Sequence, residues 1–150
     1  MGPPLENSLF FNVDGSALGC PGMAGAGGVL RNAEGKILCL FSTFLGIWDS
    51  NSSEVFAIHS ACQLIASKQQ LVNKTITIIS DSKSAVSWAN GDGFGNFKLV
   101  QLIYDIREFL RCNNAVNVVF KNRGSNAFAD SLAKLGPNRV GDRLEWGDIC

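Results

Sequence analysis

The feature that most constrains this chain is an aspartate, Asp14, in the middle of an apolar stretch with the pattern of a β-strand. Residues 9, 11 and 13 are apolar and alternate with residues 10, 12 and 14, so a strand that turns the first set to the core points Asp14 to the opposite face. The glycine-rich segment that follows predicts a turn and then a returning strand over residues 25–30. A carboxylate beside such a hairpin indicates a cleft with a functional role.

The glycine run over residues 25–28 allows a second interpretation, a dinucleotide-binding loop. Leu30 stands where the G-x-G-x-x-G pattern needs its third glycine, and residues 31–35 predict a turn where that motif requires a helix. We therefore reject a dinucleotide site. A single strand aspartate is more often structural than catalytic, so a catalytic role for Asp14 requires partner residues.

The composition is that of one globular domain. A chain of 150 residues buries about 70% of its unfolded surface and needs neither disulfides nor metal for folding. Residues 1–8 lack the pattern of a signal peptide and no apolar run reaches membrane-spanning length, so we expect an intracellular protein. The five cysteines include no C-x-x-C pair and predict reduced thiols. Thirteen basic and thirteen acidic residues cancel, so no long-range field attracts nucleic acid.

The pattern of elements predicts a mixed α/β domain over residues 9–136, between a lead-in at residues 1–8 and a C-terminal tail at residues 137–150. Three strands should form an antiparallel meander, and right-handed helical crossovers should add two parallel strands. The result is a five-stranded mixed sheet with helices on both faces. The expected strands are 9–16, 23–31, 36–45, 75–80 and 115–120, and the expected helices are 49–68, 82–90, 97–111 and 126–135.

Four carboxylates should converge at one edge of this sheet. Asp81 follows the fourth strand, which should lie beside the first strand and Asp14. Glu54, in the first turn of the intervening helix, and Asp130, one turn into the last helix, can project at the same edge. Such acids repel one another unless hard divalent cations neutralise them, and two cations about 4 Å apart suit phosphodiester hydrolysis. The single histidine, His59, lies off the face of Glu54 and is a poor candidate for a base.

At these residues the chain resembles the ribonuclease H superfamily, and most closely the reverse-transcriptase-like ribonuclease H domains of plant genomes and retroelements. The matching stretches are FNVDGSALGCPGMAGAGGVLRNAEG, NSSEVFAI, IISDSKSAV and NRGSNAFADSLAKLG. The resemblance implies a ribonuclease H-like fold and cleavage of the RNA strand of RNA/DNA hybrids. It also implies two Mg²⁺ ions, for which Mn²⁺ can substitute, held by Asp14, Glu54, Asp81 and Asp130.

The resemblance further implies a set of residues that contact the hybrid: Gly15, Ser16, Cys20, Asn51, Ser82, Arg123 and Asn126. Asn51 is expected against the sugars of the RNA strand. Arg123 and Asn126 either hold a phosphate or cap the final helix, for which asparagine is well suited.

Three departures from the family pattern point to weak turnover and a weak grip on substrate. Cys20 replaces an asparagine in the turn after Asp14, Phe120 replaces a histidine ten residues before Asp130, and residues 91–96 replace a basic protrusion. Two functions stay open: a slow ribonuclease H, and a domesticated module that binds nucleic acid or a protein partner. We expect a monomer without a membrane partner, or a domain of a larger element-derived protein, in the cytoplasm or nucleus.

Overall fold

The computed structural model describes residues 7–19, 22–122, 129, 132–134, 142–147 and 149. Within them a mixed sheet has the strand order β5-β4-β1-β2-β3-β6. The strands are β1 (Ser8–Ala17), β2 (Gly22–Asn32), β3 (Ile37–Trp48), β4 (Thr75–Ser80), β5 (Val116–Phe120) and β6 (Arg143–Trp146), and the helices are α1 (Ser50–Ala66), α2 (Lys83–Ala89) and α3 (Val100–Cys112).

The centre of the sheet has the predicted topology. Strands β1, β2 and β3 form an antiparallel meander in which Asp14 lies directly opposite Gly27. Strand β4 runs parallel to β1, and β5 runs parallel to β4. The β1–β4 pairing ends at Asn12 and Ile79, so Asp14 and Asp81 both lie just past the paired segment. This is the edge at which the sequence predicts a site.

One face of the sheet carries the main core. The alternate residues Leu9, Phe11 and Val13 of β1 are buried against α1, as the alternation predicts. The Phe11 and Phe41 rings meet edge to face with centroids 5.9 Å apart. Helix α3 packs on α1, and there His59 Nε2 lies 3.2 Å from Asp105 Oδ2. His59 therefore joins two helices and has a structural role.

The opposite face is covered by helical residues 129 and 132–134. A Cβ atom on Gly27 would lie 2.5 Å from the backbone nitrogen of Ala133, so this segment rests directly on β2. The Ser42 hydroxyl donates a hydrogen bond of 2.6 Å to the Leu132 carbonyl. Helical segments thus flank both faces of the sheet, as expected.

The prediction of five strands is wrong by one. Strand β6 pairs antiparallel with β3, from Cys39–Trp146 to Ser42–Arg143, and it lies in the segment that the sequence analysis assigns to a C-terminal tail. Strand β3 also continues to Trp48, three residues past its predicted end. Strand β6 is added at the edge of the sheet remote from β4, whereas the extension of β3 leads directly into Asp49, the cap of α1.

Two further properties concern the whole described chain. None of its helices is long and apolar enough to cross a membrane. Its cysteines Cys39, Cys62 and Cys112 are free thiols, and burial raises the pKa of Cys39 and of Cys62 to about 12.

Candidate active site

The start of α1 is fixed by its cap. Asp49 Oδ1 accepts a hydrogen bond of 2.7 Å from the Ser52 backbone nitrogen, and the Ser53 hydroxyl donates to the Asp49 carbonyl over 2.9 Å. The helix begins at Ser50, so Glu54 is its fifth residue and lies in the second turn, one turn later than predicted. The cap determines where the Glu54 side chain leaves the helix.

Gly15 lets α1 approach β1 closely enough for Glu54 to reach the strand. A Cβ atom at position 15 would lie 2.2 Å from the Ser53 carbonyl carbon and 2.4 Å from the Glu54 backbone nitrogen. With no side chain in the way, the Gly15 backbone N–H donates to Glu54 Oε1 over 2.9 Å. We attribute to Gly15 a role in seating Glu54; its predicted contact with nucleic acid stays a prediction.

Ser80 holds the second oxygen of Glu54. Its buried hydroxyl donates to Glu54 Oε2 over 3.3 Å and accepts from the Ser82 backbone nitrogen over 3.1 Å. Ser80 is a site residue that the sequence motifs do not indicate. The available signal was a hydroxyl that ends the apolar TITIIS strand immediately before Asp81.

The structure brings together three of the four predicted carboxylates. Asp14, Glu54 and Asp81 each offer one oxygen, and these oxygens all lie within 4.8 Å of one another. Asp14 and Glu54 are buried, 1% and 8% exposed, whereas Asp81 is half-buried at the mouth of the site. Asp130 lies outside the described residues, between helical residues 129 and 132.

Burial raises the pKa of Glu54 above its ordinary value, and the negative charge of Asp81 raises it further. Three hydrogen bonds oppose the rise, from the Asp14 side chain, the Gly15 N–H and the Ser80 hydroxyl. Burial and the neighbouring negative charge therefore make the ionised form of Glu54 costly unless a cation neutralises it.

An open cleft of about 450 Å³ leads to the carboxylates. Its walls come from the starts of α1 and α2, namely Ser50, Asn51, Glu54, Asp81, Ser82, Lys83 and Ser84. Asn51 is exposed, and the Ser82 hydroxyl caps α2 by accepting from the Ala85 nitrogen over 3.1 Å. The structure therefore places two of the predicted substrate contacts, Asn51 and Ser82, in the cleft wall.

The remaining predicted substrate contacts are not among the residues that the structure places in the cleft wall. Ser16 is half-buried near the end of β1. Cys20, Arg123 and Asn126 lie outside the described residues. Phe120, where the family pattern has a histidine, ends β5 beside Ser80 and is 36% exposed.

A neighbouring groove of about 520 Å³ shares the start of α1 with this cleft. It is lined by Ile47, Trp48, Asp49, Ser52, Asn96, Phe97 and Lys98. Asp49 and Ser52 line the groove, whereas Ser50, Asn51 and Glu54 line the cleft, so both depressions use residues from the start of α1.

Comparison with known proteins gives a consistent assignment. The family model described as reverse transcriptase-like matches residues 12–136. The Arabidopsis thaliana protein named "Putative ribonuclease H protein At1g65750" is 29% identical over 134 residues, which are 87% of this chain and 20% of that protein. This chain thus spans about one fifth of the length of that relative.

Solved structures agree with the family match. LC11-RNase H1, isolated from compost by a metagenomic approach, is 26% identical with a TM-score of 0.80, over 88% of this chain and 96% of that one. The same enzyme crystallised in complex with an RNA/DNA hybrid is 25% identical with a TM-score of 0.78, over 87% and 96%.

Proposed function

Because the chain belongs to the reverse-transcriptase-like family of ribonuclease H domains, we propose that it is a metal-dependent endonuclease that hydrolyses the RNA strand of RNA/DNA hybrids. The observation that carries the proposal is the cluster of Asp14, Glu54 and Asp81, of which Glu54 and Asp81 line an open cleft. The hybrid-bound structure of LC11-RNase H1 supports the choice of substrate class.

The donor set fits hard divalent cations. All three ligands are carboxylates, and oxygen ligands are those that Mg²⁺ and Mn²⁺ prefer. Asp14, Glu54 and Asp81 would hold two Mg²⁺ ions together with Asp130, the fourth carboxylate of the proposed set. When bound, such ions supply activation of a water nucleophile and stabilisation of the leaving oxygen of a phosphodiester.

The protein's own contribution is positioning. The Gly15 N–H and the Ser80 hydroxyl hold one oxygen each of Glu54, so that the carboxylate is oriented before a cation arrives. Asn51 and Ser82 line the cleft and would contact the hybrid, with Gly15, Ser16, Cys20, Arg123 and Asn126 completing the proposed contact set. Contacts to 2′-hydroxyl groups would distinguish the RNA strand from DNA.

The proposal extends to the organisation of the protein. We infer that residues 9–136 form the functional domain, that it acts as a monomer inside the cell, and that it can be part of a larger protein. The last inference is supported by the Arabidopsis relative, of which this chain matches one fifth.

A second function is a module that binds nucleic acid with little or no turnover. Phe120 favours it, because a phenylalanine stands beside Ser80 where a proton-handling histidine is expected, and a phenyl ring cannot take up a proton. The intact carboxylate cluster favours the hydrolase, since three crowded acids cost stability unless they bind cations.

The deciding experiment is cleavage of an end-labelled RNA/DNA hybrid with Mg²⁺ and then with EDTA, by the unmutated protein and by Asp14→Asn. We expect cleavage only with Mg²⁺ and only by the unmutated protein. Metal-free Asp14→Asn should be as stable as the parent or more so, because it lacks one repelling charge. Glu34→Gln is the matched control and should keep full activity, because Glu34 lies in the turn between β2 and β3, at the end of the sheet remote from the carboxylates.

Two results would contradict the hydrolase. Calorimetry that detects no Mg²⁺ or Mn²⁺ binding at millimolar concentration would exclude metal dependence. Hybrid that binds but is not cut over prolonged incubation would favour the binding module.

A further inference from the structure

Lys83 places a positive charge at the rim of the carboxylate cleft. It is the first residue of α2, lies two residues after Asp81, and lines the same cleft as Glu54 and Asp81. Its side chain is exposed, and its Nζ atom lies 5.3 Å from the centroid of the Phe120 ring. An ammonium group at that distance from an aromatic face is attracted by the ring quadrupole.

The sheet register fixes the backbone position of Phe120 beside Ser80. Phe120 pairs with Ser80 at the last step of the β4–β5 ladder, and the Lys121 nitrogen donates to the Ser80 carbonyl over 3.0 Å. Ser80 in turn contacts Glu54, so the Phe120 backbone is connected to the carboxylate cluster through one residue. The exposed Phe120 ring lies under the Lys83 ammonium group and outside the main core.

The Lys83 ammonium group is directed at the Phe120 ring. Among the described residues, no ion pair joins it to an acidic side chain, although Glu54 and Asp81 line the same cleft. Its ammonium group lies over the ring, with its remaining donors available to solvent. A cation placed in this way can receive an anion that enters the cleft.

We propose that Lys83 binds a phosphate group of the nucleic acid that occupies the cleft, and that Phe120 is the positioning residue that holds the lysine side chain over the cleft rim. The inference rests on the proposed function and deepens it. Phosphate is the ligand expected here because the nucleic-acid backbone is the anion that the carboxylates and their cations act on. Lys83 then contributes to substrate affinity and not to the hydrolytic step.

Fluorescence anisotropy of a labelled hybrid, titrated from about 20 to 300 mM salt, tests Lys83. Lys83→Gln should weaken binding roughly fivefold at low salt and should lower the slope of log K against log salt by about one, the loss of one phosphate contact. Lys83→Arg should retain both affinity and slope, because arginine also binds phosphate and stacks on rings. Lys36→Gln, at the opposite end of the sheet, is the control for lost charge and should leave the slope unchanged.

Kinetics and Phe120 test the positioning role. Lys83→Gln should raise KM with kcat within about twofold, which a general loss of structure would not produce. Phe120→Leu should weaken binding in the same direction but less, and its effect should largely disappear in the Lys83→Gln background, since both changes then remove the same interaction.

The possible outcomes separate the two proposals. Cleavage of the hybrid together with unchanged affinity and slope in Lys83→Gln overturns the phosphate contact and leaves the hydrolase intact. Hybrid binding without cleavage overturns the hydrolase, while the salt series still decides on Lys83. A protein that neither cuts nor binds hybrid overturns both.

Discussion

At the scale of single residues, Glu54 links the carboxylate site to the free energy of unfolding of the metal-free protein. Burial raises its pKa from an ordinary value of 4.5. Between pH 4.5 and that raised pKa, the native state binds more protons than the unfolded chain, so the free energy of unfolding of the metal-free protein falls as the pH rises. Glu54→Gln has no such proton to lose. We therefore expect its stability advantage over the parent to grow as pH rises above about 4.5 and then to level off.

Urea denaturation in EDTA at pH 4.5, 6 and 8 measures this difference. Addition of Mg²⁺ at pH 8 should reverse the order, because the parent binds the ion and Glu54→Gln binds it weakly. If the free energies of unfolding of the two proteins in EDTA changed in parallel with pH, burial would not raise the pKa of Glu54.

Gly15 is a second residue whose role is steric. Gly15→Ala would place a methyl group against the backbone of α1, which cannot move as a side chain could, so we expect a loss of about 3 kcal/mol and loss of cleavage. The control is Gly46→Ala, where φ is +84° but no atom lies within 4 Å; it should cost about 1 kcal/mol and keep activity. Equal stability losses, measured by urea denaturation, would show that contact with α1 is not the cause.

At the scale of secondary structure, the elements with strong local signals were predictable. Strand β1 shows a clear alternation, and the Asp49 cap marks the start of α1 before an apolar stripe. Strand β6 has only four residues, with alternating charged and apolar side chains, and its partner β3 lies about a hundred residues earlier in the chain. Its formation depends on a free edge of β3, which no local pattern reveals.

The position of β6 allows a prediction about this element. It lies at the edge of the sheet remote from β4, and Trp146, half-buried, receives the Lys68 ammonium group 4.5 Å from its ring centroid. Trp146→Ala should therefore lower the free energy of unfolding by about 2 kcal/mol, less than for a fully buried tryptophan. Cleavage below the unfolding transition should not change.

Leu144→Ala is the control in the same strand. Because Leu144 is 51% exposed, this substitution should lower the free energy of unfolding by less than about 1 kcal/mol. Urea denaturation of both variants, with initial rates of hybrid cleavage, checks the pair. A slower rate for Trp146→Ala with folding intact would mean that β6 influences the catalytic edge.

At the scale of the whole molecule, the site was predictable to the extent that topology determines it. Once β4 is taken as parallel to β1, Asp14 and Asp81 must end side by side, and the structure places Glu54 with them. The contacts around the carboxylates and at the rim of the cleft were not predictable. The Gly15 N–H, the Ser80 hydroxyl and the Lys83–Phe120 pair depend on how closely a helix approaches a strand, and on side-chain directions that sequence spacing does not supply.

The net charge of the whole molecule determines how strongly it attracts a polyanion at long range. With thirteen basic and thirteen acidic residues, the protein exerts no net long-range attraction, so binding of a hybrid rests on local contacts and on cations in the carboxylate cluster. Each phosphate contact contributes about 0.9 to the slope of log K against log salt. We expect a slope below about five in magnitude and an affinity that Mg²⁺ increases, measured by anisotropy at constant ionic strength with the ion and with EDTA. Asp14→Asn should show a smaller increase with Mg²⁺. A slope near ten in EDTA would require an extended basic surface, and double-stranded DNA bound as tightly as hybrid would exclude recognition of the RNA strand.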